Sequence, residues 1–103
     1  MISRTLRKNI KNSIGKIAYK KIILFGSRAR GDYDKQSDFD LLIILSRNKS
    51  MCEKIHLSTT LRKRFASKMI DADIIVKDGK DIEYLKDKHG SVVRNALKEG
   101  VSL

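Results

Sequence analysis

Asp38 and Asp40 stand two residues apart before an apolar run, LLIIL, in the segment FGSRARGDYDKQSDFDLL. On an extended strand such a pair points to one face, with the two residues about 6.6 Å apart along the chain. Acids held that close repel unless a proton or a cation separates them. Hard oxygen donors suit Mg2+, which takes one or two carboxylates and fills the rest of its shell with water and substrate phosphates. Upstream, Gly26-Ser27 closes a second apolar run, KIILF, and ten residues separate it from Asp38. A glycine there lets backbone amides approach a phosphate closely. Ser27 adds a hydroxyl and can open a helical turn whose N–H groups attract anions. Arg28 and Arg30 follow closely enough to neutralise triphosphate charge. The segment reads as a cation site beside a phosphate site.

A two-metal site, with ions about 3.5–4 Å apart, needs a third carboxylate. Asp71 and Asp73 are the candidates, both on one face at the head of DADIIV. Asp73 precedes IIV as Asp40 precedes LLII, which favours Asp73 and leaves Asp71 as the alternate. Each piece alone is common: a Gly-Ser after a strand is usually a turn, and a D-x-D is often a solvated strand end. Specificity comes from the joint order of strand, Gly-Ser, D-x-D, strand, helix and a strand with Asp. Competing chemistries fail. Gly26 and Gly31 have the gap of a Walker A loop, but Asp32-Tyr33 follows where Lys-Ser/Thr is required. Cys52 is the one cysteine and His56 and His89 are isolated, so zinc spacing is absent. No G-x-S-x-G elbow is present.

The elements that must position these groups follow from periodicity. Ile2, Leu6, Ile10, Ile14 and Ile17 recur at helical steps with a basic outer face. A strand is expected over Lys21–Phe25, a helical turn over Ser27–Arg30, and polar turns over Gly31–Ser37. Asp38–Leu45 reads as a central strand, apolar on both faces after Leu41. A helix over Met51–Lys68 and a strand over Asp71–Val76 come next. Asp78-Gly79 marks a turn, and Asp81 is a plausible N-cap for one last helix that runs through Gly90 and stops at Gly100. The order implies an α/β fold: a small mixed sheet with helices packed mainly on one face, the other left open for a ligand or partner.

With 103 residues and 41% hydrophobic side chains, the chain 1–103 suits a single small domain. It lacks an apolar run long enough to span a membrane, and a lone cysteine suits a reducing, cytoplasmic setting. The net charge is +11, and no acidic residue precedes Asp32. Such a field favours a polyanion, whether a nucleotide, a nucleic acid or an acidic partner. It is equally what a solvated helix face in a lysine-rich chain would give. Without tryptophan, and with three Tyr and three Phe, base-stacking platforms are scarce.

GSRARGDYDKQSDFDLLI resembles the signature of the DNA polymerase β-like nucleotidyltransferase superfamily. The form GSRARG and the short chain resemble its minimal nucleotidyltransferase (MNT) branch, and within it the MntA-type antitoxins. The resemblance implies a nucleotidyltransferase fold in which Asp38, Asp40 and Asp73 hold Mg2+, with two ions expected, against the triphosphate of ATP or another NTP. Gly26 and Ser27, with Arg28 and Arg30, would bind the phosphates. It further implies a protein adenylyltransferase that silences a HEPN-domain toxin by transferring AMP to a tyrosine hydroxyl. A second reading is a non-catalytic partner subunit that neutralises a HEPN protein by complex formation. A third, resting on charge alone, is a nucleic-acid-binding protein. A homo-oligomer is compatible with all three.

Overall fold

A computed structural model describes residues 3–103. Ile2, first in the expected helical stripe, lies outside the described residues. The elements are α1 (Arg4–Ile14), β1 (Tyr19–Phe25), α2 (Ser27–Arg30), β2 (Phe39–Leu45), α3 (Met51–Ser67), β3 (Ala72–Lys77), α4 (Gly79–Leu85), α5 (Val92–Glu99) and β4 (Val101–Ser102).

Helix starts follow their caps. Ser3 accepts the Leu6 N–H, and Ser50 accepts the Glu53 N–H at the head of α3. Ile10 and Ile14 are fully buried, but α1 stops at Gly15, so Ile17 lies beyond the helix. The four strands are ordered β3-β2-β1-β4. β1 runs antiparallel to β2 and β4, whereas β2 and β3 are parallel, joined by the α3 crossover.

Alternation of side chains divides the core. Ile22, Leu24, Leu41, Ile43, Ile74 and Val76 face α1 and α3, meeting Ile10, Ile14, Leu61 and Phe65. Ile23, Phe25, Leu42 and Ile44 face the other way and meet Val93 and Ala96 of α5, with Ile82 and Leu85 of α4 alongside. The long helices thus cover one face as expected, while the face expected to stay open is partly closed by the two short ones.

The final helix differs from expectation. It is two helices, because Ser91 serves both ends of the break. Its hydroxyl donates to the Leu85 carbonyl and accepts the Arg94 N–H, while Gly90 turns the chain at φ 82°. Asp81 is not the N-cap of α4. Asp78 is, and the two form a reciprocal capping box. After Gly100, two residues return to pair with β1 as β4, a strand too short to leave a periodic signal.

Candidate active site

The last residue of β1 and the first residues of β2 and β3 meet at one end of the sheet. Strand register places Phe25 opposite Asp40, and Asp40 opposite Asp73. β2 and β3 begin where β1 ends, so the Gly26-Ser27 turn and the acids share one end of the sheet. Asp38 lies just outside β2, two residues before Asp40, and is exposed.

Asp40 is the half-buried member of the group. Burial pushes its carboxyl above the usual carboxylate range, and the charges of Asp73 and Asp38 push it further; Arg30 works in the opposite direction. Its carboxylate lies against the Cα of Gly26. A Cβ built there would overlap Asp40 Oδ2 and stand 3.2 Å from its Cγ. Gly26 also has φ 73°, a conformation that disfavours other residues. The glycine is therefore required twice, by its own backbone and by the acid packed on it. The short turn α2 begins at Ser27, and its first N–H groups lack intrahelical acceptors, as at any helix start.

Asp73, rather than Asp71, stands in register with Asp40. Asp71 contributes its backbone carbonyl, which accepts the Phe39 N–H at 2.9 Å and fixes the start of β2 against β3. The Asp73 carboxylate is turned toward α3, where Arg62 Nη2 donates to its Oδ1 at 2.8 Å. Arg62 lies in no motif, and only the antiparallel run of α3 over β3 brings it to Asp73. It lines a depression of about 280 Å3 with Asp38, Asp71, Ala66, Ile70 and Ala72.

The two arginines of GSRARG are turned to different tasks. Arg28 Nε and Nη2 both donate to the Ser37 carbonyl, at 3.1 and 3.0 Å. Its guanidinium lies between the rings of Tyr33 and Phe39, 4.3 and 4.4 Å from their centroids. It braces the loop that carries Asp38. Arg30 pairs with Asp32 and Glu99, each at 3.3 Å, and stays half exposed on the acid side.

Among the described residues no three His, Cys, Asp or Glu side chains are already gathered as a cation cage. The donor set still fits Mg2+: hard carboxylate oxygens gathered at the heads of two parallel strands, one of them raised in pKa by burial and then by the other two. Asp38 and Asp40 could hold such an ion, with Asp73 reaching it only if Arg62 lets go. A larger cavity, of about 660 Å3, opens at the opposite end of the sheet near Ala18, Leu45 and His56. Glu53 lines it, but none of Asp38, Asp40, Asp71 and Asp73 does, so size does not mark the candidate site here. No helix among the described residues is long and apolar enough to cross a membrane.

Comparison with known proteins fixes the family. Residues 4–102 match the nucleotidyltransferase domain. The chain belongs to the nucleotidyltransferase domain family. Two Methanocaldococcus jannaschii relatives each carry the name "Putative protein adenylyltransferase". One is 34% identical over 100 residues, covering 95% of this chain and 89% of that protein. The other is 43% identical over 53 residues, 52% of each, so the chain spans about half the length of that relative. Three solved nucleotidyltransferase-fold structures share the architecture at low identity. A mutant of the toxin–antitoxin MntA–HpeT has a TM-score of 0.56 at 16% identity, over 99% of this chain and 72% of that one. A nucleotidyltransferase-like protein of Sulfolobus solfataricus has 0.55 at 21%, over 93% and 73%. A toxin–antitoxin crystallised with AMP-PNP has 0.53 at 18%, over 94% and 68%.

Proposed function

We propose that this nucleotidyltransferase is an adenylyltransferase that moves AMP from ATP to a tyrosine hydroxyl of a HEPN-domain toxin and so silences it. The observation that carries the reading is the register of Phe25, Asp40 and Asp73, which unites a Gly-Ser turn with three carboxylates. The relatives' name and the fold shared with MntA–HpeT support the choice of a protein acceptor. The AMP-PNP complex of a neighbour supports ATP as donor.

Bound Mg2+ would supply positive charge against the triphosphate. The rest falls to the chain. Asp38 and Asp40 would hold the cation from one strand face. Gly26 gives Asp40 its place and lets the turn amides and the Ser27 hydroxyl meet phosphate oxygens. Arg30 adds charge from the rim. Asp73, freed from Arg62, would orient the incoming hydroxyl and draw off its proton as it attacks the α-phosphorus in line with departing pyrophosphate. Positioning and charge complementarity account for most of the acceleration in such transfers.

Mass spectrometry of a HEPN protein encoded beside this gene, after incubation with the chain, Mg2+ and ATP, tests the reading. One or more added AMP groups on tyrosine, absent with Asp40→Asn, is the expected result. A stable complex with no added mass would instead favour neutralisation by binding alone. That second reading draws on one observation, the Arg62–Asp73 ion pair, which occupies the third carboxylate.

A further inference from the structure

β3 is an edge strand: among the described residues it pairs with β2 alone. Ile74, Ile75, Val76 and Lys77 all line one groove of about 220 Å3, together with Met51 and Ile55 of α3. Successive side chains of a strand point to opposite faces. Four consecutive residues can line one groove only along the strand's free edge, where backbone N–H and C=O groups await partners. The α3 wall of the groove is mixed: Lys54 and Ser58 line it as well, but its two apolar residues are uncovered, Met51 being 74% and Ile55 59% exposed. An edge of this kind invites another strand.

We infer that the free edge of β3 pairs antiparallel with β3 of a second copy, about a two-fold axis through Ile75. The charges of the strand select both the occupant and the register. A two-fold axis normal to the sheet preserves its faces, so residues brought opposite each other must already share a face. That restricts the axis to a residue position. Centred on Ile75, Asp73 faces the partner's Lys77 at each end of the ladder, and Ile74 faces the partner's Val76. Centred on Ile74 or Val76, Ile75 would face a charge instead, Asp73 or Lys77 respectively. Lys77 makes no ion pair among the described residues, and Asp73, now held by the half-exposed Arg62, would share or exchange that partner for it. The same axis lays the Met51 and Ile55 stripes of two α3 helices side by side over the joined strands. It also brings the partner's Lys77 to the strand position beside the acid site.

The net charge of +11 on each copy opposes association, so the test is made at physiological salt, where the Debye length is about 8 Å. Sedimentation equilibrium of the full chain from micromolar to millimolar concentration should show a monomer–dimer equilibrium. Lys77→Asp and Asp73→Lys should each weaken it about tenfold or more, since two opposite-charge pairs become two like-charge pairs. An equimolar mixture of the two variants should restore it, because the heterodimer regains both attractive pairs. Ile55→Lys should weaken it independently, with circular dichroism confirming that each variant is folded. A wild type that stays monomeric at millimolar concentration, which would leave the edge to a strand from another protein, overturns the inference. So does a mixture of folded variants that stays monomeric. Asp73→Lys also removes an acid of the transfer site, but sedimentation reads association alone and Lys77→Asp and Ile55→Lys leave the three acids in place, so the two proposals fail separately.

Discussion

The Asp40 carboxylate occupies the space that a Cβ on residue 26 would need, so Asp40 keeps residue 26 a glycine. Gly26→Ala should add strain at a positive φ and push the carboxylate off its position. A shift of about 1 Å at such a group costs roughly 100-fold in rate. Transfer activity should therefore fall by about that factor while the variant remains folded, checked by single-turnover AMP transfer beside a thermal melt.

Asp40→Asn should make the metal-free protein more stable while abolishing transfer. The Asp40 carboxyl is raised above its unfolded value, first by burial and then by Asp73 and Asp38. The native state then holds the proton more tightly than the unfolded chain, so stability falls as pH rises through the folded pKa. Thermal melts without metal should show this slope in the wild type and a weaker one in Asp40→Asn. Added Mg2+ should raise the wild-type Tm more than the variant's. A variant no more stable than wild type at neutral pH would refute the account of the site as a cluster of mutually repelling acids.

Asp78 is the opposite case. Its carboxylate is buried, caps α4 through the Asp81 N–H at 3.0 Å, accepts the Lys49 N–H at 3.1 Å and pairs with Lys54 at 3.2 Å. Burial pushes its pKa up, but the Asp81 and Lys49 N–H groups and the Lys54 ammonium outweigh it and hold it at about 2. Its stabilising contribution is complete above the unfolded pKa and is lost as pH falls toward 2. Asp78→Ala leaves Lys54 with Asp81 alone and should cost about 3 kcal/mol. For a chain of this size that is roughly 12 °C or more in Tm. Transfer per folded molecule should be unchanged, since this cluster lies at the end of β3 away from the acids.

Arg62→Gln should tighten Mn2+ binding. The guanidinium neutralises Asp73 from 2.8 Å, and a cation taking that carboxylate must displace it. Both partners are half exposed, so the gain should be modest, a few-fold. Titration calorimetry of wild type and variant measures it. Weaker binding in the variant would show that Arg62 holds Asp73 in place for the cation instead of competing with it.

Arg28→Lys should loosen the 31–37 loop almost as much as Arg28→Ala. One lysine ammonium cannot reproduce two donors to Ser37 and stacking between two rings. Faster proteolysis within that loop in both variants is the expected readout. Retention of wild-type resistance by the lysine variant would show that charge alone holds the loop.

The acid site was legible because its parts are local or symmetric. Gly26-Ser27 and D-x-D each close or open an apolar run, and Asp73 repeats the placement of Asp40. What escaped was long-range or brief. Ile82, Leu85, Val93 and Ala96 keep helical spacing across Gly90, so the pattern could not reveal that Ser91 ends one helix and starts another. Two residues of β4 carry no period. Arg28 and Arg30 are equally close to a phosphate in sequence, and only the folded loop shows that Arg28 is turned to Ser37. Arg62 and Lys54 act through contacts with β3 and α4 that a linear reading does not bring near.

The parallel pairing of β2 with β3 also sets an order of events. β1 and β2 can join as a hairpin early, since closing a short loop is fast. β3 can dock only after α3 has formed and crossed back. Asp40 therefore meets Asp73 only after the hairpin has formed, and their repulsion is absent from it. Relieving that repulsion should slow unfolding and leave the folding rate nearly unchanged. The carboxylates that serve the chemistry then weigh on the lifetime of the native state and not on how quickly the chain reaches it.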